Sequence, residues 1–275
     1  MASVINAFKE SIDLAKKNYL KLLGLYLLIL VIVAVLAGLI ILFTVGAVLG
    51  VVPGISSPLV FIPLALIVVI AFILIFTVFY GMYFSLAIQG MKNKGKTDLG
   101  IAFRDSKKVY RKMLWTLIIQ IVITVIILVI IVTPVFLLKQ SANSGFNANS
   151  GSLQSQLASV GITLVLIAVT FILDALFFVA VPLAMLDGSS GIGAIRKSFT
   201  VARKYFWSII GLLILSWITY IVVYAVTEIL ALGLSIVNSI LGIIVSFVLI
   251  VLLGSFMIGV VSFLPVIFYK RFVKS

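Results

Sequence analysis

The sequence predicts an all-α, polytopic membrane protein: six transmembrane helices in three tandem two-helix repeats, each repeat preceded by a cytoplasmic amphipathic helix. Three observations predict it. The 275-residue chain is 64% hydrophobic and 10% charged, with a mean hydropathy of +1.40, where soluble domains carry about a quarter charged residues. Six apolar runs each reach the roughly 20 residues that a helix needs to cross a bilayer. A short basic motif also occurs three times, at Ala7-Phe8-Lys9-Glu10-Ser11, Ala102-Phe103-Arg104-Asp105-Ser106 and Ala194-Ile195-Arg196-Lys197-Ser198. Each copy continues into two adjacent bases: Lys16-Lys17, Arg111-Lys112 and Arg203-Lys204. The copies start 95 and then 92 residues apart, close to a third of the chain. The expected organisation is one transmembrane domain, 1–275, with repeats at 1–96, 97–188 and 189–275.

In chain order, the spans are expected at about 20–49, 58–91, 113–138, 157–187, 206–233 and 236–269. The stretch before the first, Met1 to Lys21, spreads its charges over an amphipathic segment and leads into an apolar run longer than a signal core, so it is expected to be retained. Val52-Pro53-Gly54-Ile55-Ser56-Ser57-Pro58 is a turn cluster between spans one and two. Lys139 to Gln156, rich in Ser, Asn and Gly, reads as an exposed loop, and Gly233-Leu234-Ser235 as a hairpin turn. Each motif copy should form an interfacial helix. In the second, Leu99, Ala102, Phe103, Ser106, Val109, Tyr110 and Met113 recur at i, i+3, i+4 spacing while the bases take the other face. Thr97 or Asp98 can cap its start, and in the first copy Asp13 and Lys17 are placed for an i, i+4 pair. Ser11, Ser106 and Ser198 lie on the apolar faces, where a hydroxyl bonds back to its own helix or lets a neighbour approach.

Charge sets the expected orientation. Of 20 Lys and Arg, 19 fall on the N-terminal stretch, the second and fourth connections and the tail, leaving only Lys139 opposite. Both termini are therefore expected in the cytoplasm of a cell-membrane protein. The net charge of +13 belongs to that membrane face rather than to nucleic-acid binding.

The chain has no Cys and no His, which removes thiolate and imidazole chemistry, disulfides and the common zinc sites. The usual general base of Ser and Cys hydrolases goes with them. No Walker loop, dinucleotide fingerprint or metalloprotease motif is present. The expectation is a non-enzymatic protein with no cofactor. Its candidate lipid-headgroup residues are Arg104, Lys107, Lys108, Arg111, Lys112, Arg196, Lys197, Arg203 and Lys204, each base contributing about 1 kcal/mol near an anionic surface; the plainer role of any one of them is to enforce topology. Two acids fall within the spans. Asp174 lies thirteen positions before Asp187, about 20 Å deep on a straight helix, with Thr170, Thr219 or Tyr220 as candidate hydroxyl partners. Glu228 lies about 33 Å along span five, near the outer interface. An ionisable group at mid-bilayer is a functional candidate by default, so a transporter or permease subunit with Asp174 binding a substrate, cation or proton is the alternative. Pro182 and Pro265 should kink their spans five residues before a charged end, and Gly46-x-x-x-Gly50 permits close helix contact.

The stretch Phe178-Val179-Ala180-Val181-Pro182, Leu186-Asp187-Gly188, Ala194-Ile195-Arg196-Lys197-Ser198 and Tyr205-Phe206-Trp207 resembles the membrane domain that precedes the catalytic domain of some glycerophosphoryl diester phosphodiesterases, and its free-standing bacterial and archaeal relatives. The resemblance implies a multi-span fold and a membrane home. It implies no activity, since the catalytic barrel is absent and its His-dependent chemistry has no His here. Mitochondrial carriers, which also have three two-span repeats, differ: their Pro-x-acid-x-x-base signature is missing. Whether the chain has protein partners or self-associates is left open by the sequence.

Overall fold

The structure is a computed structural model that describes residues 2–48, 61–144, 153–237 and 239–273. Among these residues it is all-helical, without strands. The helices are α1 (Ala2–Lys17), α2 (Tyr19–Val48), α3 (Phe61–Lys92), α4 (Leu99–Ser144), α5 (Leu153–Phe177), the single turn α6 (Leu183–Leu186), α7 (Gly191–Val237) and α8 (Ser239–Phe268), closed by a π-helical turn at Tyr269–Val273. Five stretches are long and apolar enough to cross a membrane: Tyr19–Gly38, Leu66–Lys92, Leu99–Ile131, Gly191–Leu230 and Gly242–Val273. The described apolar part of α5, Thr163–Phe177, is shorter than these. Only 6% to 28% of each apolar window is buried inside the protein. Water would not tolerate so much exposed hydrocarbon, so the helices fit an integral membrane protein with several passes.

The core lies at one end of the bundle. Leu22, Tyr83, Phe84, Met113, Ile209, Leu212, Phe263 and Phe268 are fully buried there, beside the helix segments that carry the bases. Away from that end the side chains are exposed: Val31 and Val35 on α2, Leu66 and Ile67 on α3, Val129 and Ile130 on α4, Ile229 and Leu232 on α7, Ile240 and Ile243 on α8. The protein is thus packed on itself at the basic end and faces an apolar solvent along the rest of its length.

The motif helices differ from the expected surface helices. Ala7, Phe8, Ser11, Leu14 and Ala15 of α1 are buried, and α1 packs chiefly on α8. Its apolar face is spent on the bundle rather than on lipid. Likewise the start of α4 packs on α3, and α7 on α8 and α5. The second and third motif segments are not separate helices either. α4 runs unbroken from motif into span because no helix-breaking residue separates them, whereas α7 bends at Tyr205 (φ −121°, ψ 24°) and α1 stops at Asn18, whose side-chain amide donates to Leu14 O (2.9 Å).

Several connections also shift. Lys139–Ser144 continues α4 and α5 begins at Leu153, so helix covers both ends of the expected 139–156 loop. Gly233-Leu234-Ser235 lies inside α7 rather than in a turn. The turn cluster at 52–58 lies outside the described residues, and the Gly46-x-x-x-Gly50 match runs into them. Pro182 does more than kink its span: α5 ends at Phe177, and Phe178–Pro182 forms tight turns before α6. Pro265, by contrast, is accommodated inside α8.

The serines divide between the two expected roles. Ser11 Oγ donates to its own helix at Phe8 O (2.7 Å). Ser106 Oγ instead crosses to α3 at Val78 O, and Ser198 Oγ to α5 at Leu176 O, both at 2.7 Å. At α5 the tightened turn supplies a reason, because Ala180 N–H bonds Phe177 O (2.9 Å) rather than the Leu176 carbonyl one position earlier. At α3 the approach depends on Gly81. A Cβ there would run into Ser106 Oγ and come within 3.2 Å of Met113 Sδ.

Gly81→Ala is therefore expected to cost about 1–3 kcal/mol through overpacking, read as a lowered thermal midpoint in detergent. Adding Ser106→Ala should recover part of that loss, because it removes the atom in collision. Strict additivity of the two substitutions would contradict this contact.

Candidate functional site

The nine bases singled out from the sequence are all exposed, while the Ala and Ser of their motif segments, Ala102, Ser106, Ala194 and Ser198, are buried. Arg104, Lys107, Lys108, Arg111 and Lys112 stand along one helix, on the outward face of α4, and line neither of the two clefts described below. Lys112 approaches another element: its ammonium lies 3.2 Å from where a Cβ of Gly188 would stand. On α7, Lys197 is tied to Asp187 (3.6 Å), and Lys204 sits 5.1 Å from the centroid of the Tyr205 ring.

Arg196 and Arg203 are brought together. Seven positions apart, they border a groove of about 670 Å³ whose other walls are Leu176, Phe199, Thr200 and Phe206. Phe199 is seated against Phe177 (ring centroids 5.5 Å apart), and Thr200 gives its hydroxyl to Arg196 O (3.0 Å). That leaves the two guanidiniums as the groove's ionic donors above an aromatic and aliphatic wall. Beside it, Trp207 is 82% exposed, and Trp115, at the matching position after the second motif, is 59% exposed. Exposed Trp one turn beyond a cluster of bases is the pattern of a membrane–water interface.

At the fifth-residue-minus-one position of each motif, Glu10, Asp105 and Lys197, the structure shows a contact that composition did not suggest. Glu10 Oε2 lies 2.6 Å from Arg271 Nε, at an angle that makes it an ionic rather than a directed hydrogen-bonded contact. Asp105 Oδ2 accepts from Ser85 Oγ (3.0 Å), and Lys197 pairs with Asp187, which also accepts from Tyr269 Oη (2.5 Å). Each tie runs from a motif helix to the segment that ends another span. A second set of ties fixes the starts of the motif helices. Asp98 caps α4, accepting from Ile101 N (2.7 Å), while its own N–H goes to Gln89 Oε1 (2.8 Å); of the two caps expected, Asp98 is the one used. Thr97 is instead bound by Asn18 and Lys21, and Gly191 N donates to Thr116 Oγ1 (2.9 Å). Asp13 and Lys17, placed for a pair by sequence, form no ion pair.

A second cleft, of about 430 Å³, opens between α1, the turn after α3 and the C-terminal turn, with Lys9, Lys17, Lys94 and Arg271 on its walls. Sequence reasoning did not select these four. They lie on three segments far apart in the chain, and only folding joins them.

Asp174 is exposed on α5 between buried Leu173 and Ala175. None of its expected partners reaches it: Thr170 bonds Leu166 O (2.9 Å), Thr219 bonds Leu215 O (2.8 Å), and Tyr220 stacks on Tyr224. Its electrostatic neighbour is Tyr80 of α3. The straight-helix depth does not carry over, since the helix breaks three residues later. Glu228 is half-buried and bonded to Tyr224 one turn before it.

Fold and surface together define a multi-pass, all-helical integral membrane protein with its charge concentrated at the packed end. No family model, no curated protein and no solved structure matches this chain.

The ties from Glu10 and Lys197 carry opposite signs at equivalent positions, which makes a charge-swap test available. Glu10→Arg alone should destabilise by about 0–1 kcal/mol, the range of partly exposed pairs. Glu10→Arg with Arg271→Glu should recover it, both read from thermal midpoints at low salt. A double variant no more stable than the worse single one would show that the pairing adds nothing.

Proposed function

We propose that this protein is a non-enzymatic membrane protein of the cell membrane whose basic helices engage anionic lipid headgroups, organising the bilayer or docking a partner at the cytoplasmic face. In this reading α5 completes a set of six spans. The three motif units then form tandem repeats, each motif helix packed on the second span of another unit, α4 on α3, α7 on α5 and α1 on α8, so that the units close on themselves. Both termini lie in the cytoplasm, in keeping with the one-sided distribution of bases. The resemblance of residues 178–207 to a phosphodiesterase membrane domain is part of the same proposal.

The observation that supports it best is the groove under α7. A guanidinium presents a planar fork to a phosphate, and Arg196 and Arg203 offer two of them in a groove also lined by Leu176, Phe199 and Phe206. A lipid satisfies both chemistries at once, phosphate to the forks and acyl chain to the apolar wall. Exposed Trp207 beside it supports a position at the level where headgroups begin. The bases of α4 add longer-range attraction, each worth about 1 kcal/mol and screened by salt.

The alternative, transport with Asp174 as the ion-binding group, is supported by one feature: an acid without an ion pair or hydrogen-bond partner among the described residues, on an otherwise apolar helix face.

Native mass spectrometry of detergent-purified protein separates the two. Arg196→Glu with Arg203→Glu should strip anionic lipids while leaving zwitterionic ones, and Asp174→Asn should leave the lipid pattern unchanged. Retention of anionic lipids by the charge-reversed variant would sink the lipid reading. A small molecule lost only in Asp174→Asn would put the transporter first.

A further inference from the structure

The cleft at the α1 side of the basic end is built differently from the groove under α7. Three lysines reach it from two directions: Lys9 and Lys17 from α1, and Lys94 from the turn that follows α3. All three belong to segments with fixed backbones. Lys94 (φ 51°) and Gly95 (φ 95°) form a left-handed turn, locked by Gly95 N–H donating to Gly90 O (2.7 Å). Glycine is needed at 95 on two counts. Its φ lies where side chains are strained, and a Cβ there would stand 2.6 Å from Lys17 Cδ. The bare backbone lets the Lys17 stem lie across the turn, and Lys17 and Lys94 line the same cleft.

The charges do not cancel. Of the two acids in the wall, Glu10 is engaged by Arg271, which leaves Asp13 against three lysines that have no ion pair or hydrogen bond among the described residues. Like charges gathered in excess of their counter-charge repel one another, and an anion lowers that cost. At about 430 Å³ the space falls within the range of small-molecule sites, about 300–1,000 Å³. No aromatic ring lines it, so a base has nothing to stack on. The recognisable part of a ligand is thus its negative charge, and compact ammonium groups suit phosphate as point charges.

We propose that this cleft binds a phosphate-bearing anion, held by Lys9, Lys17 and Lys94. The phosphate can belong to a lipid headgroup or to a free phosphate compound. The site shares no base with the Arg196–Arg203 groove, so the two proposals fail separately.

The test uses the full-length protein in two arms. In the first, inorganic pyrophosphate is titrated into detergent-solubilised protein in phosphate-free, low-salt buffer and followed by calorimetry. In the second, the protein is placed in nanodiscs of phosphatidylglycerol and phosphatidylcholine, and the retained lipids are counted by native mass spectrometry. The variant is Lys9→Gln with Lys17→Gln and Lys94→Gln; the control is Lys16→Gln with Lys96→Gln, two exposed lysines that belong neither to this cleft nor to the nine bases of the lipid reading. At about fivefold per lysine, the triple variant should weaken binding by on the order of a hundredfold, with the control unchanged. Loss of pyrophosphate binding assigns a free phosphate compound. Loss confined to phosphatidylglycerol assigns a headgroup. Equal binding by triple variant and control overturns the proposal, as does absence of binding in both arms by the parent protein. Should the triple variant lose its thermal transition, Lys94→Gln alone, on the turn rather than in α1, is expected to weaken binding about fivefold, and no change there counts against the site.

Discussion

The rest of the structure depends on one constraint: the apolar face of each motif helix has to be buried by protein at the end of the bundle where the charges lie. In hydrocarbon the spans gain little from touching one another, since lipid tails are as apolar as Leu. Most of their length is accordingly exposed, and what fixes their relative positions is the packed layer formed by Ala7, Phe8, Ala102, Met113, Ala194 and Ala202 against Phe84, Ala184 and Phe268. The small residue that opens each motif matters here. Ala7, Ala102 and Ala194 are each fully buried, and alanine is short enough to bring two helix backbones close. Polar ties then pin what packing brings together. Ser106 and Ser198 spend their hydroxyls on carbonyls of α3 and α5, where a polar group without a partner is costly.

Burial of the apolar faces also reassigns the bases. A helix lying on lipid uses its apolar side for attachment and its charges for headgroups. Here the apolar side is taken, so attachment to the membrane falls to the spans and the bases are presented by a rigid platform. A rigid platform can shape a groove or a cleft, which a floating helix cannot. Arg196 and Arg203 gain a wall from Leu176 of another helix, and Lys17 gains Lys94 as a neighbour.

Much of this was legible in the sequence. Helical class, the apolar runs and the concentration of charge follow from composition and periodicity, because a long uncharged stretch has few other fates. The inward face of α4 followed in part from i, i+3, i+4 spacing: Ala102, Ser106 and Met113 are fully buried, whereas Phe103, expected on the same face, is 51% exposed. What was not legible depended on partners distant in sequence. Nothing local says that Ser106 prefers Val78 O over its own helix; Gly81 decides that from 25 residues away. Periodicity marks the face of α1 as apolar but cannot say whether lipid or α8 will cover it. The break after Phe177 was half visible, since Pro182 announced a kink but not how far the unwinding would reach. Of the bases, Arg196 and Arg203 could be paired from their seven-residue spacing, whereas Lys94 joins Lys9 and Lys17 only through a left-handed turn.

The ties at Glu10, Asp105 and Lys197 add a last step. Motif helices this similar could dock on the wrong span, because Ala, a large apolar residue and Ser recur in all three and offer much the same apolar face. The residue between the base and the Ser is one place where they differ: an acid facing Arg271, an acid facing the Ser85 hydroxyl, a base facing Asp187. Exchanging α1 and α7 would set Lys197 against Arg271 and Glu10 against Asp187, two repulsive contacts in place of two attractive ones. Each contact is weak as a source of stability, being partly exposed. As a source of discrimination it counts twice, once for the attraction lost and once for the repulsion gained. Shared apolar residues thus supply the affinity of motif helix for span, and the residue before the Ser, one of the positions at which the copies differ, supplies discrimination between spans.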